Sequence, residues 1–198
     1  MKVIQVLLVF LVAGTMFVSC SKSSDDPTTP TVKKPALNTK WTYQLDSYNT
    51  GNTSFSSTTV VHTASSQVSM GGETWLRVTD DTMGLVFLLN AKTGGIYQYD
   101  NGASNLLCKY PAAVNDVYNT SNGGEPETFT VKYTNFSLIP VSGAEFKNIT
   151  MNEGVKNSVV RDQLWYSDEV WIARRETWKP VGLNTLRRYR WILQSISY

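Results

Sequence analysis

Beyond residue 36, polar and apolar residues alternate along the chain with a period of two. In the first stretch of this kind, Trp41, Tyr43 and Leu45 are separated by polar residues. Similar runs rich in β-branched and aromatic residues recur at 53–64, 67–70, 74–79, 85–89, 96–99, 128–136, 145–150, 158–167, 170–178 and 186–198. Because successive side chains of a strand point to opposite faces, this alternation predicts strands with one buried face.

Clusters of glycine and asparagine separate these runs. Gly71-Gly72 and Gly94-Gly95 each lie between two apolar runs, which is typical of β-hairpins, and Asn101-Gly102 and residues 122–124 follow the same rule. A helical stripe of apolar residues is missing throughout. We therefore predict one all-β domain over residues 36–198: a single curved antiparallel sheet that forms a half-barrel or barrel, with or without short helical segments.

The first twenty residues follow a different pattern. Lys2 precedes an almost uninterrupted apolar run that ends at Val18, and the small residue Ser19 stands before Cys20. We interpret residues 1–19 as a secretory signal peptide, because the apolar run is too short and too weakly flanked for a membrane span. The Ser19-Cys20 junction resembles the lipobox of bacterial lipoproteins, which implies that Cys20 is acylated and attaches the protein to a membrane.

Residues 20–35 are dominated by Ser, Thr, Asp and Pro, and we predict that they form a flexible tether between the lipid and the domain. Asp25-Asp26 resembles the export tag of Bacteroidetes-type surface lipoproteins, and a merely solvating linker is the alternative. The predicted location is the outer membrane, with the lipid-anchored domain on the periplasmic or the cell-surface side.

Charge and cysteine content narrow the function classes. A formal net charge of +2 gives no electrostatic case for nucleic acid as a partner. With Cys20 assigned to lipid, Cys108 is the one remaining cysteine, which excludes an intramolecular disulfide and a cysteine-based metal site. We interpret Cys108 as a buried structural thiol, with intermolecular pairing or a reactive role as alternatives.

The sequence offers little for catalysis. His62 is the one histidine, and the acid pairs Asp80-Asp81 and Asp168-Glu169 are typical of turns. Motifs for a nucleophile, a metal or a phosphate are missing. We predict that the protein is not an enzyme and has no cofactor, no metal and no catalytic residue. The alternative is an enzyme whose cleft gathers His62 with two acids.

Large aromatic residues concentrate in the last third of the chain. Trp165, Tyr166, Trp171 and Trp178 are the candidates for a ligand or contact surface, although sheets also use such residues in cross-strand packing. Trp171 and Trp178 have opposite parity, so both can face the core only if a bulge intervenes. The neighbouring basic residues are interpreted as a solvated strand face, with an anion site or cross-strand pairing with Glu169 and Glu176 as the alternatives. These basic residues are Arg174, Arg175, Arg187, Arg188 and Arg190.

Three segments carry a family resemblance. The motifs Tyr110-Pro111-Ala112 with Val114 and Asp116, residues 141–146, and Trp165-Tyr166 with Val170 are similar to those of uncharacterised Bacteroidetes-type lipoproteins. The resemblance implies a curved sheet like the periplasmic lipoprotein-carrier half-barrel, which can hold an acyl chain in its concave face. In the same bacteria, Asp81-Thr82-Met83 resembles an O-glycosylation acceptor, which would place a glycan on Thr82.

The segments also depart from the family pattern. Asn115, Glu169 and Trp171 stand where the pattern has glycine. Asparagine tolerates a left-handed backbone, whereas tryptophan does not, so we expect the turn at 168–171 to be rebuilt.

Two functions follow as hypotheses. The first is a lipid-anchored envelope protein with a non-catalytic binding or accessory role, which holds a hydrophobic ligand in its curved sheet. A carrier of this kind requires a void of about 300 Å³ or more. The alternative is a surface glycan-binding module that uses exposed tryptophans. The predicted partners are the membrane, through acylated Cys20, and a lipid, a glycan or another envelope protein.

Overall fold

The structure is a computed structural model that describes residues 34–49, 51, 55–122, 124–140, 142–181 and 184–198. The predicted signal peptide, Cys20 and nearly all of the predicted tether lie outside the described residues.

The described chain forms twelve strands and no helix. The strands are β1 (Lys40–Tyr48), β2 (Phe55–Met70), β3 (Glu73–Asp80), β4 (Val86–Lys92), β5 (Gly94–Asp100), β6 (Ala103–Tyr110), β7 (Val117–Asn122), β8 (Glu125–Leu138), β9 (Phe146–Lys156), β10 (Val159–Ser167), β11 (Trp171–Val181) and β12 (Asn184–Ser197). The predicted all-β class is confirmed. The runs at 53–64 and 67–70 join into the single strand β2, because the chain passes Ala64–Ser66 through a bulge instead of a turn.

All twelve strands belong to one antiparallel sheet in which every strand pairs with the next one in sequence, except β6 with β7. Because β1 also pairs with β12, the order runs in a circle that is interrupted only between β6 and β7. The Tyr118 hydroxyl on β7 donates a hydrogen bond of 3.0 Å to the Leu107 carbonyl on β6 across this gap. The sheet is therefore nearly closed into a barrel, as the curved-sheet prediction requires.

The core lies inside the curve of the sheet. The alternating residues Trp41, Tyr43 and Leu45 of β1 are buried, as their spacing predicts. They pack in one cluster with inward residues of the other strands, which include Leu164 and Leu193. Burying such side chains contributes about 1.5–3 kcal/mol each, so the inner face supplies most of the stabilisation.

Candidate functional site

A cavity of about 220 Å³ lies inside the curved sheet. Its walls are mainly apolar and come from β1–β6 on one side and from β10–β12 on the other. The apolar lining residues are Trp41, Tyr43, Val78, Leu85, Phe87, Leu89, Leu107, Leu164, Trp171, Ile172 and Trp191. Leu85, between β3 and β4, is 39% exposed, so the cavity lies next to the solvent-exposed end of this hairpin. An apolar space with a few polar groups in its wall is the usual form of a site for a small molecule.

Two tryptophans form one wall of the cavity. The rings of Trp41 and Trp171 stack with their centroids 6.1 Å apart. The Trp41 indole nitrogen donates to the Val170 carbonyl at 3.0 Å, and the Tyr43 hydroxyl donates to the Ile172 carbonyl at 2.7 Å. Burial raises the pKa of Tyr43, so its hydroxyl remains a proton donor at neutral pH. Strand β1 thus holds the chain on both sides of Trp171.

Trp171 has a backbone φ of 64°, a left-handed conformation that is an outlier for a bulky residue. The expectation that tryptophan would force this turn to be rebuilt is therefore wrong. The hydrogen bonds from Trp41 and Tyr43 to the flanking carbonyls hold the strained residue in place. Its ring is only 4% exposed and lines the cavity. Asn115, at φ 72°, adopts the left-handed conformation as predicted.

One ion pair borders the apolar cavity. The Arg175 guanidinium nitrogen Nε lies 3.2 Å from both carboxylate oxygens of Asp162, and Nη2 also donates to Asp162. Asp162 is 1% exposed, whereas 21% of the Arg175 side chain is accessible and faces the cavity that it lines. Burial lowers the pKa of Arg175, but the charge and hydrogen bonds of Asp162 outweigh burial and raise it overall. The guanidinium therefore remains charged.

His62 lies next to Trp41 in the cavity wall, packed between Tyr43 and Phe87 with ring centroids 4.8 and 5.5 Å away. Its Nε2 is 2.9 Å from Asp80 Oδ2. Burial lowers the pKa of His62, and the nearby Asp80 carboxylate only partly offsets this effect. The imidazole is therefore neutral at pH 7.

The two acids beside His62 are used by the turn after β3. The other Asp80 oxygen, Oδ1, accepts hydrogen bonds from the backbone of Thr82 and Met83 at 2.8 and 2.6 Å. Asp81 accepts one from the Val61 backbone at 2.8 Å. The structure thus brings His62 and Asp80 together at the cavity, in an arrangement that caps a turn and fixes the ring.

The four aromatic candidates do not form one surface. Tyr166 is fully buried, and Trp171 lies in the cavity wall. Trp165 and Trp178 are half-buried, and Arg174 and Arg187 lie over their rings at 4.6 and 4.8 Å. The sheet has bulges at Trp165/Tyr166 and at Thr177/Trp178, so the strict alternation of side chains between its two faces is interrupted next to these residues.

Sequence reasoning missed Arg175, which was grouped with the solvated arginines. A usable signal was present, because Arg174 and Arg175 are adjacent in a strand and one of them must face inward. The predicted pairing of the outer arginines with Glu176 is found: Arg174 and Arg187 both contact it. Cys108 is buried and free, and burial raises the pKa of its thiol, as suits a structural residue.

Within the described residues, the structure has no cluster of three or more side chains suited to hold a metal ion. The same part of the chain contains no helix with the length and apolar character to cross a bilayer. Comparison with protein-family models, curated proteins and solved structures gives no match for this chain.

Proposed function

We propose that the protein is a lipid-anchored component of the cell envelope that binds a small hydrophobic group inside its curved sheet and catalyses no reaction. The observation that carries this proposal is the apolar cavity of about 220 Å³. Its aromatic wall is fixed by hydrogen bonds from Trp41 and Tyr43 to the backbone, so the space is formed before a ligand arrives. Pre-formed walls lower the entropy cost of binding.

The volume limits the occupant. It is smaller than the void of about 300 Å³ that the carrier hypothesis requires, so the site does not meet that criterion and only a smaller group fits. A cavity of roughly 150 Å³ lined by aliphatic and aromatic side chains binds benzene. A single ring or a short alkyl chain is therefore the best fit to this site.

The anchoring part of the proposal rests on the sequence around Cys20. Acyl chains on this cysteine stabilise membrane attachment by about 0.8 kcal/mol per buried methylene, and the proposed location is the outer membrane. Replacing Cys20 with Ala should move the protein from the membrane fraction to the soluble fraction of lysed cells. A Cys20→Ala protein that still sediments with membranes would contradict lipid anchoring.

His62 does lie beside two acids at the cavity, as the enzyme alternative requires, but the backbone contacts of these acids favour a structural role. Its Nε2 lies against Asp80, and Asp80 and Asp81 both accept hydrogen bonds from the backbone. The glycan-binding alternative has weaker support, because Trp171 faces the cavity and the rings of Trp165 and Trp178 are covered by guanidinium groups.

Binding of toluene tests the cavity directly. Val78 lines the cavity, whereas Val86, also in the β3–β4 hairpin, is largely exposed. We expect toluene to bind the unaltered protein and Val86→Phe alike in calorimetric titration. Val78→Phe, which places a ring in the cavity, should weaken binding roughly tenfold or more. Thermal melts establish that both variants are folded. Equal toluene affinity in the folded Val78→Phe variant, or no binding to the unaltered protein, would contradict the proposal.

A further inference from the structure

A second space of about 210 Å³ lies beside the apolar cavity. It differs from the first in chemistry, because most of its lining side chains carry a charge. Strands β8, β9 and β10 contribute Glu125, Glu127, Lys156, Arg161 and Asp162, and β11 contributes Thr177 and Trp178. We call this space the polar pocket.

The polar pocket and the apolar cavity share one wall. Thr177 borders both spaces. Arg175, which lines the apolar cavity, is hydrogen-bonded to Asp162, which lines the polar pocket. The two spaces are therefore adjacent, with Thr177 bordering both and the Arg175–Asp162 ion pair reaching from one to the other. A ligand with an apolar end and a polar end matches this arrangement.

The charges around the polar pocket balance when Arg175, which lines the apolar cavity, is counted with the three acids and two bases of the lining. Glu125 is paired with Lys156, and Asp162 is paired with Arg175. Glu127 and Arg161 add one charge of each sign to the lining. A balanced pocket gives no strong electrostatic preference for an anion or a cation. Carboxylates accept hydrogen bonds, and ammonium and guanidinium groups donate them, so their mixture suits hydroxyl groups, which do both.

On β11, two polar atoms that line the polar pocket are without a hydrogen-bond partner. They are the Thr177 hydroxyl and the Trp178 indole nitrogen, and both atoms are buried. Burying such groups without a partner is destabilising, and most native proteins avoid it. A polar ligand that enters the pocket, with a small adjustment of the wall, would satisfy them.

We propose that the polar pocket receives the uncharged, hydroxyl-bearing head of the same ligand whose hydrophobic group occupies the apolar cavity. The ligand class is then a neutral amphipath: a short alkyl or aryl group attached to a polyhydroxyl head. This inference rests on the proposed binding function of the apolar cavity, and it adds the chemistry of the head group.

Affinity measurements with four probes that share a hexyl chain test the inference. The probes are hexanol, hexyl β-glucoside, hexanoate and hexylamine, each titrated below its aggregation concentration. We expect hexyl β-glucoside to bind about tenfold more tightly than hexanol, the effect of one or two net hydrogen bonds. Hexanoate and hexylamine should not exceed hexyl β-glucoside, because the pocket is balanced in charge.

Two variants locate the effect. Trp178→Phe removes the indole N–H and keeps a ring, and it should reduce the advantage of hexyl β-glucoside over hexanol without changing hexanol affinity. Arg188→Gln, at an exposed position outside both spaces, is the matched control and should change neither affinity. Thermal melts verify the fold of each variant.

The possible failures are distinguishable. Equal affinity for hexyl β-glucoside and hexanol would overturn the polar-head inference and leave the proposed function standing. Tighter binding of hexanoate or hexylamine than of hexyl β-glucoside would overturn the neutral-ligand assignment. If none of the four probes binds, the proposed function itself fails.

Discussion

The inner and outer faces of the same strands perform different tasks. On β11, Arg175 points inward and pairs with Asp162 beside an apolar cavity. Its neighbour Arg174 points outward, where it contacts Glu176 and lies over the Trp165 ring. The inner face of β11 therefore borders the cavity, and its outer face belongs to a layer of ion pairs. A substitution on one face should have little effect on the other face.

The outer face of β1, β11 and β12 is built around two buried carboxylates. Asp46 accepts hydrogen bonds from Ser57, from Gln44 at 2.9 Å and from Arg190 at 2.9 Å. Burial raises the pKa of Asp46, but these hydrogen bonds and the charge of Arg190 outweigh burial and lower it overall. Glu176, 1% exposed, occupies the equivalent position between Arg174 and Arg187. Long arginine side chains cover both carboxylates, so the outer face is an ordered polar layer.

The largest expected effect concerns the inner face. Trp171→Ala removes a buried ring and should lower the free energy of unfolding by about 4 kcal/mol. Because residue 171 has a φ of 64°, Trp171→Gly should be more stable than Trp171→Ala by about 1 kcal/mol, the reverse of the usual order. Urea denaturation of the two variants measures both differences. An alanine variant as stable as the glycine variant would contradict the strained conformation.

The next effect concerns the outer face. Glu176→Ala leaves Arg174 and Arg187 without their buried carboxylate and should lower the free energy of unfolding by about 3 kcal/mol. Toluene affinity should be unchanged, because the residue faces away from the cavity. Arg188→Ala, at an exposed position of the same face, is the control and should cost less than about 0.5 kcal/mol. A large loss of toluene affinity in folded Glu176→Ala would show that the two faces are not independent.

The smallest effect is a dependence of stability on pH. Burial lowers the pKa of His62 in the folded protein, despite the opposing charges of Asp80 and Asp81. The unfolded chain therefore binds more protons than the folded chain just below the ordinary histidine pKa of about 6.5. The free energy of unfolding should fall as the pH is lowered from 7 to 5. Urea midpoints across this range measure the slope, and His62→Gln should flatten it. A protein that becomes more stable over the same range would show the opposite sign of shift.

The sequence predicted the strands well because alternation is a local signal. Trp41, Tyr43 and Leu45 face inward as their spacing indicates, and the Gly71-Gly72 turn lies where it was expected. The pairing of β1 with β12 and the gap between β6 and β7 depend on contacts between distant parts of the chain. No local pattern carries that information.

The candidate site was harder to predict for the same reason. Trp171 is held by hydrogen bonds to its neighbours from Trp41 and Tyr43, each across 129 positions in sequence. The cavity depends on how side chains of nine strands fill the space inside the curve. Arg175 is the exception, since its parity relative to Arg174 was visible in the sequence.

A crystal structure of the protein soaked with hexyl β-glucoside is the most direct test of the claim that ligand binding belongs to the inner face. The predicted result is electron density for the hexyl group in the cavity beside Trp41 and Trp171. Density for the ligand stacked on the Trp165 ring, with the cavity free of it, would contradict the account.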